Sequence, residues 1–145
     1  MIEDLKITPL KRIKNIKGDI YHALKSSEDS FSQFGEAYFS SVNFGDVKGW
    51  KKHTQMTLNL IVPVGTIKFV MFDERPNSKS YQQFYEISIS QDNYCRLSIP
   101  PNVWLSFQGI EPGLNLLLNI ASIEHDPTES VNCDLDKISY NWYSM

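Results

Sequence analysis

The sequence predicts an all-β protein, because three features recur along its length. No long stretch places apolar residues at the helical spacing of three or four. Short runs rich in β-branched and aromatic residues alternate instead with turn residues about every 8–12 positions, which is typical of a β-sandwich or β-barrel. The prolines fall in turns or next to strands, where a missing backbone N–H is tolerated. We therefore expect one domain over residues 1–145.

Each predicted strand ends at residues that favour a reversal of the chain. Serine, aspartate, asparagine, proline and glycine mark these turns, because each stabilises turn conformations or interrupts a strand. A short helix is expected only at Asp134–Lys137. In chain order, the predicted strands are Ile20–Leu24, Gly35–Val42, Lys51–Leu60, Thr66–Phe72, Phe84–Ser90, Tyr94–Ile99, Val103–Gln108 and Leu114–Ala121. The turns between them are marked at residues 26–29, 63–65, 75–78, 91–93 and 111–113.

Composition narrows the class of protein. A hydrophobic content of 41% and a charged content of 21% are ordinary for a soluble domain, and a net charge of −3 gives no reason to expect nucleic acid. The most apolar stretch, Leu58–Phe72, is interrupted by Pro63 and Gly65, which favours strands over a membrane span. Without an N-terminal signal-like run, and with Cys95 and Cys133 far apart, we expect a cytoplasmic protein with reduced thiols and no membrane partner.

A segment bounded by two glycines carries the most informative pattern. Its spacing resembles the first metal-binding motif of the cupin β-barrels, in which a glycine is followed by His-x-His, then Glu, then a second glycine. Those five positions fall here on Gly45, Lys51, His53, Leu58 and Gly65. Two of the three metal-ligand positions of this motif therefore carry residues that do not bind metal in proteins of this kind.

A second, shorter motif points the same way. The cupin pattern Pro-x-Gly-x-x-His resembles Pro100–Leu105, where Leu105 stands in place of the histidine. His53 is thus the one ligand of four that remains, whereas zinc or iron needs three or four nitrogen, oxygen or sulfur donors. We expect a barrel whose pocket works without a metal.

Alternation along the predicted Lys51–Leu60 strand selects candidate catalytic residues. Lys51, His53 and Gln55 are two residues apart, so a regular strand would project them from one face. Inside a barrel mouth, a lysine or histidine shielded from water can act as a general base. The same positions could instead form a solvated outer face, and a turn near Thr54–Thr57 would break the alternation. Asp134 could orient such a base, or could lie in an exposed acidic turn.

Other side chains could bind substrate, and Gln55, on the same predicted face as His53, is one of them. Lys48 and Arg75 could hold phosphate, although each could equally be a surface charge. Trp104 could form an aromatic wall for a sugar or base ring, with core packing as the alternative. One of several tyrosines could be a proton donor, although any single one more often packs half-buried. The candidates are Tyr38, Tyr81, Tyr85, Tyr94, Tyr140 and Tyr143.

Five segments in the same order resemble the dTDP-4-dehydrorhamnose 3,5-epimerase family. Lys17–Ile20 is similar to the family's Arg-Gly-x-Phe, and Gly45–Lys51 to its Gly-Val-Leu-Arg-Gly-Leu-His. Asp73–Tyr81 is similar to Asp-x-Arg-x-x-Ser-Pro-Thr-Phe. Ile99–Phe107 resembles Ile-Pro-x-Gly-Phe-Ala-His-Gly-Phe, and Glu129–Trp142 resembles the closing segment that ends in Ile-x-Trp. The resemblance implies a cupin-type jelly-roll β-barrel that forms a homodimer.

The resemblance also implies a reaction. In that family a histidine, supported by an aspartate, removes a proton next to the 4-keto group of a nucleotide-linked 6-deoxyhexose. A lysine stabilises the enolate and a tyrosine returns a proton from the opposite face. No cofactor is needed, because the carbonyl of the substrate is the electron sink. Carried over, these roles fall on His53 as base, Lys51 as enolate stabiliser or alternative base, Asp134 as support, and Lys48 and Arg75 as phosphate contacts.

Two departures from the epimerases leave alternatives open. The family's base position falls on Lys51, and Leu116–Asn119 contains no tyrosine where the family carries one. The shorter spacing to Gly65 resembles the sugar-nucleotide 3,4-ketoisomerases, whose second histidine falls on His53. The sequence therefore predicts an epimerase of surface polysaccharide synthesis, with a ketoisomerase or a non-catalytic sugar-nucleotide-binding barrel as alternatives.

Overall fold

The computed structural model describes residues 1–143, which form β-strands, loops and one short 3-10 helix. The strands are β1 (Lys6–Pro9), β2 (Arg12–Ile13), β3 (Ile20–Tyr21), β4 (Glu36–Ser41), β5 (Val47–His53), β6 (Leu58–Val64), β7 (Ile67–Asp73), β8 (Phe84–Ile89), β9 (Cys95–Ile99), β10 (Val103–Gly109), β11 (Leu116–Ala121) and β12 (Ser130–Asn132). The helix, η1, spans Leu135–Lys137, at the place where the sequence predicts it.

Two five-stranded antiparallel sheets face each other. The first has the order β1-β9-β6-β11-β4 and the second the order β12-β5-β10-β7-β8, while β2 and β3 form a separate hairpin. From β4 to β12 the chain changes sheet at every connection except the one between β7 and β8. This is the jelly-roll arrangement, and it confirms the predicted all-β fold.

The space between the sheets is filled by the main hydrophobic core. Leu60, Val62 and Leu97 from the first sheet pack with Phe69 and Met71 from the second, and all five are buried. Each such side chain contributes about 1.5–3 kcal/mol to the free energy of folding by leaving water. The inner faces therefore hold the sheets together.

A second apolar cluster covers the outer face of the second sheet. Trp50 of β5, Val70 of β7 and Trp104 of β10 are buried there beneath Ile138 and Trp142 from the C-terminal segment. This segment makes the outer face of the second sheet a buried surface, so tryptophans occupy positions that would otherwise be solvated.

One predicted strand proved to be two. The predicted Lys51–Leu60 strand is divided into β5 and β6, which lie in different sheets. The chain turns at residues 54–57, where Thr57 N–H donates to Ser122 Oγ at 2.8 Å. Sequence alternation also missed β1, β2 and β12, because these strands are only two to four residues long.

The two glycines that bound the motif both adopt a left-handed backbone conformation. Gly45 has φ of +79° and Gly65 has φ of +80°, a region that side chains with a Cβ rarely occupy. At Gly65 a Cβ would also lie 2.3 Å from the carbonyl oxygen of Leu114. Gly65 thus turns the chain from β6 into β7 against the segment that leads to β11.

The loop after β7 is organised by the buried carboxylate of Asp73. Arg75 binds it through Nε at 2.9 Å and Nη2 at 3.0 Å, while Ser78 and Ser80 donate their hydroxyls at 2.5 and 2.6 Å. Burial by itself raises the pKa of Asp73, but these hydrogen bonds outweigh it and hold the pKa well below its usual range. Arg75 also donates to the Glu3 carbonyl at 2.6 Å, which ties the N-terminus to this loop.

Replacing Asp73 by asparagine should destabilise the protein. The variant removes the buried charged partner of the Arg75 guanidinium and leaves only the exposed Asp4, which costs about 3 kcal/mol in the free energy of unfolding. Urea denaturation of wild type and Asp73→Asn measures this difference. The matched control is Asp4→Asn, since Asp4 makes only an exposed ion pair with the same arginine and should cost less than about 1 kcal/mol. Equal effects of the two changes would refute the organising role of Asp73.

Candidate active site

A cavity of about 300 Å³ opens between the two sheets. The second sheet contributes Lys48, Lys51 and His53 from β5, and the first sheet contributes Tyr38 from β4 and Asn119 from β11. Apolar side chains from both sheets form the rest of the wall: Leu58, Leu60, Leu105, Phe107 and Leu117. The cavity therefore combines polar groups from opposite walls with an apolar lining, as ligand sites commonly do.

The four cupin metal-ligand positions meet in this cavity. Lys51, His53, Leu58 and Leu105 all line it, so the framework inferred from spacing is preserved in three dimensions. Only His53 among them is a metal-binding side chain, and residues 1–143 contain no group of three His, Cys, Asp or Glu side chains placed to hold a metal ion. The framework positions now carry a cation, an imidazole and two apolar groups.

A β-bulge lets two of the three lysines of β5, Lys48 and Lys51, line the cavity. Lys51 pairs with Leu105 and Lys48 pairs with Phe107, so three residue steps on β5 match two on β10. The extra residue lets Lys48 share a face with Lys51 although their numbers differ in parity. Lys48 Nζ donates to Ser40 Oγ at 3.1 Å, which spans the gap between the sheets.

His53 forms a charge-assisted hydrogen bond with Glu129. The imidazole Nδ1 contacts the carboxylate Oε1, and the side chains of His53 and Glu129 are 11% and 2% exposed. A carboxylate only accepts hydrogen bonds, so Nδ1 carries the hydrogen and Nε2 is left to accept a proton. This is the arrangement of a general base oriented by a carboxylate.

Backbone groups hold Glu129 in place. Its Oε2 accepts hydrogen bonds from Gln55 N–H at 3.1 Å and Met56 N–H at 3.2 Å. Burial by itself raises the pKa of Glu129, but these bonds and the contact with His53 outweigh it and hold the pKa below its ordinary value. Glu129 is therefore a carboxylate near neutral pH and can stabilise a protonated His53.

The carboxylate on His53 is Glu129, whereas we expected Asp134. Strand β12 pairs Ser130 with His53, so the residue just before β12 reaches the end of β5. Asp134 comes two residues after β12 and caps η1, where its carbonyl accepts from Lys137 N–H at 3.0 Å. Glu129 was missed because its position depends on the register of a three-residue strand that alternation does not predict.

Three expected substrate contacts lie elsewhere. Gln55 follows the end of β5 and is exposed, so strand alternation no longer governs its direction. Trp104 faces outward because its neighbour Leu105 faces the cavity, and its Nε1 donates to Glu74 Oε2 at 2.6 Å. Arg75 is engaged by Asp73 on the loop after β7 and does not line the cavity.

The lining of the cavity is cationic. Lys48 and Lys51 supply positive charge, and no carboxylate lies among the lining residues of the part of the chain that the structure describes. Lys52, one position along, is on the outer face, where its Nζ lies 4.8 Å from the centre of the Trp104 ring. Two of the three lysines of β5 thus face the cavity and one faces outward, and the positive charge inside the barrel favours an anionic ligand.

The structure is similar to solved sugar-nucleotide enzymes over nearly its whole length. A dTDP-sugar isomerase from Desulfovibrio desulfuricans G20 is 35% identical, with a TM-score of 0.95 over 99% of this chain and 94% of that one. The chain belongs to this dTDP-sugar isomerase family. No protein-family model matches the chain.

Two more distant solved structures share the same fold, and a further relative is similar in sequence. The dTDP-6-deoxy-D-glucose-3,5-epimerase of Legionella pneumophila is 18% identical, with a TM-score of 0.86 over 98% of this chain and 80% of that one. A sugar 3,4-ketoisomerase from Thermoanaerobacterium thermosaccharolyticum is 21% identical, with a TM-score of 0.76 over 95% and 94%. The spore coat polysaccharide biosynthesis protein SpsL of Bacillus subtilis is 21% identical over 98% of this chain and 97% of its own.

The pKa of Glu129 predicts how this family member responds to acid. Since that pKa is lowered by folding, the carboxylate contributes stability above its unfolded value of about 4.3, and this contribution is lost as the pH falls through the lower folded value. Glu129→Gln should therefore show a shallower loss of unfolding free energy between about pH 5 and pH 3 than wild type. Urea titrations across this range measure the slope. The exposed Glu124→Gln serves as control, and a wild-type slope in Glu129→Gln would contradict the assignment.

Proposed function

We propose that the protein isomerises or epimerises a nucleotide-linked 4-keto-6-deoxyhexose through an enolate, without a cofactor. One observation carries the proposal: the cavity-facing His53 is bound through Nδ1 to the buried carboxylate of Glu129. Membership in the dTDP-sugar isomerase family supports a dTDP-linked substrate. Residues 1–145 are proposed to act as one domain.

His53 is the proposed base. Its Nε2 takes a proton from a carbon next to the 4-keto group, and Glu129 stabilises the imidazolium that results. The electrons of the broken C–H bond move into the carbonyl and form an enolate. Glu129 takes the role that we assigned to Asp134 from the sequence, since it is the carboxylate in contact with the ring.

The two lysines of the cavity have separate proposed roles. Lys51 lies two residues from His53 on the same face of β5, and it is the proposed partner of the enolate oxygen. Lys48, further along β5, is the proposed partner of a phosphate group of the nucleotide. Arg75 is left out of phosphate binding because Asp73 occupies its guanidinium.

The ketoisomerase reading is the second candidate. The relative from T. thermosaccharolyticum has this name, and its structure is a complex with TDP. Both reactions can begin with removal of the proton on C3, so the His53–Glu129 pair supports either one. A non-catalytic barrel is disfavoured, because a histidine held against a buried carboxylate has no evident value for binding alone.

The biological setting is proposed from relatives. The name of SpsL, a spore coat polysaccharide biosynthesis protein, supports a role in surface polysaccharide synthesis. We further propose a cytoplasmic homodimer, as the resemblance to the 3,5-epimerases implies. No helix within residues 1–143 has the length and apolar character that a membrane span needs.

Proton NMR in D₂O tests the chemistry. With a panel of nucleotide-linked 4-keto-6-deoxyhexoses, we expect deuterium to enter C3 or C5 if the protein is an epimerase, and C4 of a 3-keto product if it is a ketoisomerase. His53→Ala should slow this exchange by about 10²–10⁴-fold while the protein stays folded, because the base is lost. His125→Ala, an exposed histidine outside the cavity, is the control. Saturable binding with no exchange for any donor would instead favour the non-catalytic barrel.

The proposed role of Lys48 predicts that substituting two lysines of β5 will have different effects on KM. Lys48→Gln should raise KM for the sugar nucleotide about tenfold, the equivalent of about 1.4 kcal/mol, because a charge-assisted contact with phosphate is lost. Lys52→Gln changes a lysine on the outer face and should leave KM unchanged. Steady-state kinetics of both variants at one fixed salt concentration make the comparison. An unchanged KM in Lys48→Gln would exclude the phosphate contact.

A further inference from the structure

We infer that Tyr38 is the proton donor of the reaction and that Asn119 is the residue that positions it. The inference rests on the proposed function, since it supplies the second proton transfer that the His53 base requires. A proton removed from one side of a sugar ring and returned from the other needs an acid on the wall opposite the base. His53 belongs to the second sheet, and Tyr38 lines the same cavity from the first sheet.

Tyr38 is singled out among the tyrosines by its place. Within residues 1–143, it is the only tyrosine that lines the cavity. Two other candidates use their hydroxyls elsewhere: Tyr94 donates to the His22 carbonyl at 2.7 Å, and Tyr140 contacts Glu86 on the outer face of the second sheet. Tyr81 lies on the loop after β7, next to the Asp73 cluster.

Asn119 fixes the direction of the Tyr38 hydroxyl. The two residues are directly paired across strands β11 and β4, and Asn119 is 1% exposed. Its Oδ1 accepts from Asn59 N–H at 3.2 Å, which leaves Nδ2 to donate to Tyr38 Oη at 3.1 Å. An amide nitrogen only donates, so Tyr38 accepts this bond and its own hydrogen is free for another acceptor. In the cavity, that acceptor is the substrate.

This arrangement accounts for a departure from the epimerases noted in the sequence. The segment in which they carry a tyrosine reads Leu116–Asn119 here, with asparagine as its last residue. The cross-strand pair places a tyrosine beside that segment, one strand further toward the edge of the same sheet. An acid is thus kept on the first sheet although its position in the chain has changed.

The proton balance closes without any other reactant. His53 Nε2 removes the proton as the C–H bond breaks, and Tyr38 O–H gives its proton to the enolate carbon as the new C–H bond forms. The site is then left with an imidazolium and a phenolate. Water at the open cavity takes a proton from the first and gives one to the second, so no net charge or electrons are consumed.

The test separates proton removal from proton return. In D₂O, Tyr38→Phe should still wash the substrate proton out at a rate within about threefold of wild type, because His53 can return a deuteron to the same face. Conversion to product should fall at least about 10²-fold, because the acid is missing. Tyr81→Phe removes a hydroxyl of similar exposure outside the cavity, and it should keep the wild-type ratio of exchange to conversion.

The ratio of proton exchange to substrate conversion also tests the role of Asn119. Asn119→Asp keeps the shape and the Oδ1 acceptor but offers Tyr38 an oxygen, which would capture the tyrosine hydrogen. Exchange should persist while conversion falls about tenfold or more. Asn119→Ser, which is smaller and uncharged, is the second variant should the buried carboxylate prevent folding, and thermal melting checks both. A purely structural role would lower exchange and conversion together.

The outcomes separate this inference from the proposed function. If wild type exchanges and converts substrate while Tyr38→Phe keeps the wild-type ratio, the assignment of Tyr38 is wrong and the enolate chemistry stands. If Tyr38→Phe loses conversion but both Asn119 variants keep the wild-type ratio, the positioning role of Asn119 is wrong. If wild type neither exchanges nor converts any donor, the proposed function fails and this inference fails with it.

Discussion

The alternation of side chains along β5 is the constraint on which the rest of the site depends. Each strand presents successive residues to opposite faces, so every inward side chain determines that its neighbours face outward. On β5 this sends Lys51 and His53 into the cavity, and Trp50 and Lys52 to the outer face. The C-terminal segment covers that outer face. The outer face of β5 therefore packs against this segment, while its inner face lines the cavity.

The bulge in β5 adds a second cation to the cavity. An extra residue between the pairs Lys51–Leu105 and Lys48–Phe107 turns Lys48 to the inner face. Without this bulge, Lys48 would share the outer face with Lys52, and the cavity would retain one lysine. The charge of the site therefore depends on backbone geometry as much as on residue type.

A residue from the C-terminal part of the chain, Glu129, completes the site. The loop that ends at Glu129 brings one carboxylate against His53 and against two backbone N–H groups of the turn after β5. This contact joins residues 76 positions apart and satisfies a buried charge with hydrogen bonds. After β5 ends at His53, Thr54 N–H donates to the backbone carbonyl of Glu129 at 2.7 Å, and the next two N–H groups bind the Glu129 side chain.

How much could be predicted depended on whether a feature was local. The all-β class, η1 and the inward direction of Lys51 and His53 follow from turn residues, alternation and glycine spacing, all of which are written in short segments. The partner of His53 and the outward direction of Trp104 could not be read in this way. Arg75 also appeared available from sequence, whereas a buried Asp73 two residues earlier binds it.

Sequence by itself determined the all-β class, because strand periodicity and turn residues are properties of neighbouring residues, and its resemblance to the epimerases implied the jelly-roll framework with the histidine at its mouth. Tertiary structure alone decided which carboxylate supports that histidine, which lysines enter the cavity, and which tyrosine faces it. Glu129 depends on the register of β12, Lys48 on a bulge against β10, and Tyr38 on cross-strand pairing with Asn119. Each of these contacts joins segments distant in sequence, and their relative placement is set only when the two sheets pack.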